Sequence, residues 1–247
     1  MKEPNFYAEN KVLTNQLKLS LRVSTHWPND AISPYAISTP RSVPLPLMKL
    51  VEDELQDMVR KNVISPVSKA NDWCAPMVVV PKPNGKVRIC VNLTKLNQCV
   101  KRRFHPIPKL DHCFSKMSGA KFVSKLDANS GFWQIPLSRE SQDLTTFLSP
   151  FGRFKFLKLP FGITSAPEVF QKAVSAVLGD QKNAVSMMDD ILVWGTTEEE
   201  HDFYLREVLN KLRNAGLTLN KEKTEFKKAS VRYLGHIISK KVPFMQH

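Results

Sequence analysis

Ala184-Val185-Ser186-Met187-Met188-Asp189-Asp190-Ile191-Leu192-Val193-Trp194 is the stretch that decides how this chain folds. Two short apolar runs, 184–188 and 191–194, leave only Asp189-Asp190 between them. Apolar runs of this length read as strands, and so short a join leaves space only for a tight hairpin. Two carboxylates inside an apolar run are costly unless they face water or something positive. In extended chain, neighbours point to opposite faces, so at most one aims squarely into a site with the other alongside. Taken alone, an Asp-Asp pair at a hairpin is equally compatible with plain turn chemistry.

A second acidic feature lies upstream. Residues 120–126 read as a strand that closes on Asp127. A strand ending in Asp serves as a turn starter; beside Asp189 on a neighbouring strand it makes a carboxylate cluster that repels itself without a cation. Hard divalent ions take oxygen ligands, and Mg²⁺ uses one or two carboxylates plus substrate phosphates. Two such ions roughly 4 Å apart clamp the attacking and leaving oxygens of an in-line phosphoryl transfer.

The rest of the chain alternates loosely between the two periods. Leu47, Leu50, Val51, Leu55 and Met58 fall at helical spacing behind Pro44 and Pro46, which predicts a helix ending near Asn62. The runs 77–80 and 87–91 flank Asn84-Gly85, a hairpin signal, and the turn carries Lys82, Lys86 and Arg88. A basic hairpin is either a solvated edge or a hand for phosphate. Residues 133–137 read as a strand, 145–148 and 154–157 as a second hairpin, and 167–178 as a helix. Residues 197–215 read as a further helix, with Thr196 or Thr197 as cap, acids in its first turn and Gly216 at its end. A strand pair is expected between Glu225 and Ser239. Strands and helices without strict alternation suggest an α+β fold with an antiparallel sheet.

Composition narrows the function classes. The 36 Lys and Arg against 23 Asp and Glu give a net charge of +13, which points to a polyanionic partner, most simply nucleic acid. Apolar runs are far too short to span a bilayer, so no membrane partner is expected. The N-terminus has no apolar core behind a basic start, hence no secretion signal is read. Cys74, Cys90, Cys99 and Cys113 form neither a zinc pattern nor a disulfide scaffold and read as reduced thiols of an intracellular protein.

Several motifs stand in order: Trp73 through Lys82; Val87 through Asn97; Phe122 through Leu137, with Leu126-Asp127-Ala128 and Gly131-Phe132-Trp133; Leu159-Pro160-Phe161-Gly162-Ile163; Ala166-Pro167 with Phe170-Gln171; Met188-Asp189-Asp190; and Leu234-Gly235-His236. Together, over about residues 34–242, the chain resembles the reverse transcriptases of gypsy-class retrotransposons. The resemblance implies an α+β right-hand polymerase, fingers and palm, with an antiparallel palm sheet and the thumb absent. It implies an arm or linker over 1–40, fingers over 41–104, and a palm over 105–247 with a second fingers segment near 138–160.

The resemblance also implies an RNA-directed DNA polymerase that joins dNTPs to a primer 3′-hydroxyl with two Mg²⁺ ions, Mn²⁺ as possible substitute. Asp127, Asp189 and Asp190 match the catalytic acids and, with the Ala128 carbonyl, the metal ligands. Lys82, Arg88, Phe132, Phe161, Gly162 and Gln171 match the dNTP and template pocket; Phe132 would pack under the sugar and favour deoxynucleotides. Met187, Met188, Leu234, Gly235 and His236 fall near the primer terminus. Expected partners are an RNA or DNA template with primer, dNTPs, and the thumb, connection and ribonuclease H segments of a polyprotein. The expected setting is intracellular, a cytoplasmic particle with access to the nucleus.

Two departures stand out. Met187 replaces the usual aromatic or His, and Asn92 the usual Asp. The alternatives are a truncated remnant that binds nucleic acid without copying it, and a nuclease built on the same acids.

Overall fold

The computed structural model describes residues 34–101, 105, 115–228, 230–233 and 236–239. The expected arm over 1–40 therefore lies almost wholly outside the described residues, as do Cys113, Leu234 and Gly235. The described residues fall into two compact units: 115–131 with 168 onward, and 34–101 with 132–167. The segment 132–167 contains the 138–160 stretch.

In the second of these units, helix α1 (Leu45–Arg60) starts behind Pro44 with a further Pro in its first turn, where a missing N–H costs nothing. Its buried residues are Val51, Leu55 and Met58, one stripe at helical spacing. It packs on β1 (Ile64–Pro66) and β3 (Val87–Val91). Those strands join β2 (Ala75–Pro81), β5 (Phe147–Ser149) and β6 (Gly152–Phe156) in a five-stranded sheet ordered β1-β6-β5-β2-β3. The β2–β3 hairpin forms where expected, with a longer turn than Asn-Gly alone would give: Pro81 pairs with Val87, and Lys82 N–H donates to Lys86 O at 2.7 Å.

One expectation needs correction here. Residues 133–137 form no strand: Gly131–Gln134 is a 3-10 turn, followed by a single bridge between Pro136 and Lys158. Ile135 and Leu137 are buried, so the alternation is real, but Pro136 has no N–H to give a ladder. A short helix α2 (Arg139–Leu144) was not foreseen; Ser138 caps it through the Ser141 N–H.

The other unit is built on a four-stranded antiparallel sheet, β7-β8-β4-β9, from β4 (Phe122–Asp127), β7 (Ala184–Met187), β8 (Asp190–Gly195) and β9 (Glu225–Lys228). The expected pair between 225 and 239 is in fact three strands. β9 joins β4, while β10 (Ser230–Tyr233) and β11 (His236–Ser239) pair with each other.

The β4–β8 register sets the two faces. Ser124, Leu126, Ile191 and Val193 share one face, and α4 (Glu198–Ala215) packs on these two strands. On the other face Val123 pairs with Trp194, Lys125 with Leu192 and Asp127 with Asp190. Val123, Leu192 and Trp194 form a core with Met117, Val231 and Tyr233. That face thus runs from an apolar core at one end to carboxylates at the other. Helix α4 has the expected ends: Thr197 caps the Glu200 N–H, and Gly216 closes it at φ 75°.

Candidate active site

The carboxylates gather where β4 ends and β8 begins. Asp127 lies directly opposite Asp190, a position that puts β-carbons about 4.5–5.5 Å apart with both side chains on one face. Met188 and Asp189 are the two residues of the β7–β8 turn, and the Asp189 carbonyl accepts the Ala128 N–H at 2.7 Å. Sequence and structure agree that the pair sits at the tip; the register adds that Asp190 opens the strand while Asp189 belongs to the turn.

The turn is held from behind. Met188 adopts φ 54°, a conformation that side-chain-bearing residues rarely take. Its N–H donates to Gln171 Oε1 at 2.9 Å, and Gln171 Nε2 donates to the Ser186 carbonyl at 2.9 Å. Gln171 lies on helix α3 (Ala166–Leu178) and is fully buried. Expected on the template side of a nucleotide pocket, it spends both ends of its amide on the hairpin instead. Met187 packs against the apolar core. Gly131 lets Asp189 come close: a β-carbon there would collide with Asp189 Oδ1 and stand 2.7 Å from Phe170 Cζ.

Burial pushes the carboxyl groups of all three aspartates above their ordinary range. For Asp189, the charges of Asp127 and Asp190 push further the same way, and Lys223 opposes them. For Asp127 the opposing charges are Lys223 and Lys125; for Asp190 Lys125 opposes most strongly. Asp189 Oδ1 is buried and has no hydrogen-bond partner among the described residues. An orphaned carboxylate oxygen beside two more carboxylates suits a hard divalent cation. Among the described residues, no three His, Cys, Asp or Glu side chains stand ready as one metal cage. Lysines engage two of the acids: Lys125 Nζ lies 3.4 Å from Asp190 Oδ2, and Lys223 Nζ lies 3.7 Å from Asp127 Oδ2. Neither lysine was singled out from sequence, although Lys125 is two residues before Asp127 and shares its face.

The second unit holds the remaining expected residues in two groups. Lys82 and Arg88 belong to the β2–β3 hairpin, with Arg88 exposed opposite Val80. Phe132 and Phe161 pack with ring centroids 5.0 Å apart, and Trp133 meets Phe161 at 6.1 Å. Phe161 stays 46% exposed, so one face of this aromatic cluster is open. Gly162 has φ 94°, and its carbonyl accepts the Asn97 amide at 2.7 Å; the Asn97 oxygen accepts the Thr164 N–H at 3.0 Å. Asn97 thus pins this loop, a role sequence reading missed. Asn92 Oδ1 accepts from Thr94 N–H and Oγ1, a task an Asp would do equally. Of the expected primer-side residues, Leu234 and Gly235 lie outside the described residues, and His236 begins β11.

An antiparallel sheet in which Asp127 at the end of β4 opposes Asp190 at the start of β8, and a separate unit bearing a basic hairpin and an open aromatic cluster, have the architecture expected of a right-hand palm and fingers. Residues 80–238 match the family model described as reverse transcriptase (RNA-dependent DNA polymerase). The chain is 35% identical over 205 residues to the transposon Tf2-3 and Tf2-7 polyproteins of Schizosaccharomyces pombe (strain 972 / ATCC 24843), covering 81% of this chain and 15% of each relative. This chain belongs to the reverse transcriptase family.

Solved structures agree on the fold. Native prototype foamy virus protease-reverse transcriptase superposes with a TM-score of 0.78 at 21% identity, over 92% of this chain and 31% of that one. The foamy viral enzyme in complex with an RNA/DNA hybrid gives 0.76 at 21% identity, over 85% and 28%. The chain therefore spans a minor part of the length of its relatives.

Proposed function

We propose that this chain carries the polymerase site of RNA- and DNA-templated DNA synthesis. The observation that carries the reading is the opposition of Asp127 and Asp190 across β4 and β8, with the buried, unpartnered Asp189 oxygen at the adjoining turn. In the reaction, the primer 3′-hydroxyl gives up its proton to solvent as O3′ bonds to the α-phosphorus of a dNTP, the bond from that phosphorus to the α–β bridging oxygen breaks, and pyrophosphate leaves. Asp127, Asp189, Asp190 and the Ala128 carbonyl would hold two Mg²⁺ or Mn²⁺ ions, which supply charge stabilisation to the attacking and leaving oxygens. Gln171 keeps the hairpin tip in register, so the acids are placed before substrate arrives. Lys82 and Arg88 bind the triphosphate; a guanidinium suits phosphate bidentately. Phe132 packs under the sugar, and Phe161 with Gly162 lines the nucleotide pocket.

The basic balance of the chain holds a primer–template duplex through its phosphates, largely without reading sequence. Among the described residues no helix is long and apolar enough to cross a membrane. The thumb, connection and ribonuclease H segments of a polyprotein are further partners, and a cytoplasmic particle with nuclear access is the setting. Primer extension on poly(rA)·oligo(dT) with Mn²⁺ tests the reading: incorporation is expected from the wild type and not from Asp189→Asn. Equal incorporation by both overturns it. Duplex binding without extension by the wild type leaves a nucleic-acid binder in its place.

A further inference from the structure

Lys125 points to a feature of the site that the acids alone do not show. It sits on β4 on the same face as Asp127, opposite Leu192, and reaches diagonally to Asp190 at 3.4 Å. Diagonal neighbours across an antiparallel pair are within reach of a long side chain. The contact is sheltered: the side chains of Lys125 and Asp190 are 18% and 17% exposed, against 67% for Lys223 beside Asp127. A sheltered ion pair is weakly screened, and the Lys125 ammonium group acts on two of the three carboxylates, Asp190 first and Asp127 as well. On its other side Lys125 is opposite Glu225 of β9.

We propose that Lys125 is a resident counter-ion of Asp190, a positioning residue that holds the carboxylate in the metal-free protein and competes with a divalent ion for it. The inference rests on the metal-binding reading above. With no metal bound, Lys125 offsets part of the repulsion between Asp127 and Asp190. When an ion enters, Lys125 yields Asp190 and turns toward Glu225, so its charge stays on the sheet face without a second unpaired partner. Metal affinity is thereby held below what three bare carboxylates would give.

The test is Mn²⁺ binding to the full chain without nucleic acid, read from the electron paramagnetic resonance signal of free Mn²⁺. Lys125→Met keeps the length and removes the charge; Lys125→Gln serves if the methionine variant folds poorly. The neutral variant is expected to bind roughly tenfold more tightly, the factor that about 1.4 kcal/mol of lost competition gives. Lys125→Arg is expected to bind as the wild type does. A residue with a merely structural role would weaken binding when replaced, so tighter binding is diagnostic. Equal or weaker binding by the neutral variant, while Asp189→Asn abolishes wild-type binding, overturns the counter-ion role and leaves the metal site standing. Wild-type binding that is insensitive to Asp189→Asn overturns the metal site, and the counter-ion with it.

Discussion

Asp189 has a buried carboxylate oxygen without a hydrogen-bond partner among the described residues, and its environment has a measurable sign. Burial first, then the charges of Asp127 and Asp190, raise its folded pKa above the ordinary value of 3.8. A raised folded value gives stability that is complete below the ordinary pKa and lost as pH climbs through the folded one. Ionised Asp189 therefore weakens the metal-free fold at neutral pH. Asp189→Asn removes that loss, so the variant is expected to melt above the wild type at pH 7 in EDTA. The gain should shrink as pH falls toward 4, and added Mn²⁺ should reverse the order by stabilising only the wild type. A gain that stays constant with pH would contradict the assignment of strain to this carboxyl. Asp189 and Asp190 stood out in the sequence because carboxylates inside an apolar run need a reason, and Asp127 because it closes a strand; only the family resemblance joined the three, and the register places Asp127 opposite Asp190. Lys125 did not stand out, since a lysine in a half-buried strand normally turns its tip to water. Gln171 was legible as a position but not as a hairpin clamp, because its partners, Ser186 and the Met188 N–H, lie 15 and 17 residues away across a turn.

At the scale of elements, the parts read correctly are those where several local signals agree. Helix α4 combines a cap, acids in the first turn, an apolar stripe and a closing glycine, and it forms as read. The stretch 133–137 had alternation alone; its start belongs to the 3-10 turn Gly131–Gln134, and Pro136, with no N–H for a ladder, makes an isolated bridge to Lys158. Sequence also gave no sign of how closely α4 must approach the sheet. Gly195, the last residue of β8, stands where a β-carbon would collide with the His201 N–H and lie 2.7 Å from His201 Cα. His201 is itself fixed: its ring bridges Ser124 Oγ on β4 at 2.8 Å and Asp202 at 2.9 Å. Lys227 on β9 pairs with Asp202 at 2.7 Å, which ties helix and two strands into one polar chain. These bonds hold the start of α4 against β8. Gly195→Ala is expected to cost about 1–3 kcal/mol, the range for forced backbone shifts in packed interiors. Urea unfolding followed by circular dichroism measures it; a midpoint equal to the wild type would mean that α4 can slide away from β8.

At the scale of the whole molecule, charge is the property that sequence reports without any fold. A surplus of 13 positive charges predicts binding dominated by phosphate neutralisation, in which each contact releases a condensed counter-ion. The affinity of this chain for an RNA/DNA primer–template should then fall linearly on a plot of log K against log salt, with a slope of about −3 to −6. Changing the base sequence at constant length should leave that slope where it is, because phosphates carry no sequence information. The carboxylates set a limit on this picture. Asp127 and Asp190 on one sheet face, with Asp189 at the adjoining turn, repel the same phosphates that the lysines attract, and on the metal-binding reading proposed above a divalent ion would offset that repulsion. Binding measured in EDTA should accordingly be weaker than in Mn²⁺ at equal ionic strength, and Asp127→Asn should narrow the gap by reducing the repulsion that the metal must offset. Fluorescence anisotropy across a salt series, with and without Mn²⁺, reads both quantities. A flat salt dependence would contradict phosphate-led binding, and a metal effect untouched by Asp127→Asn would place the divalent ion somewhere other than between these acids.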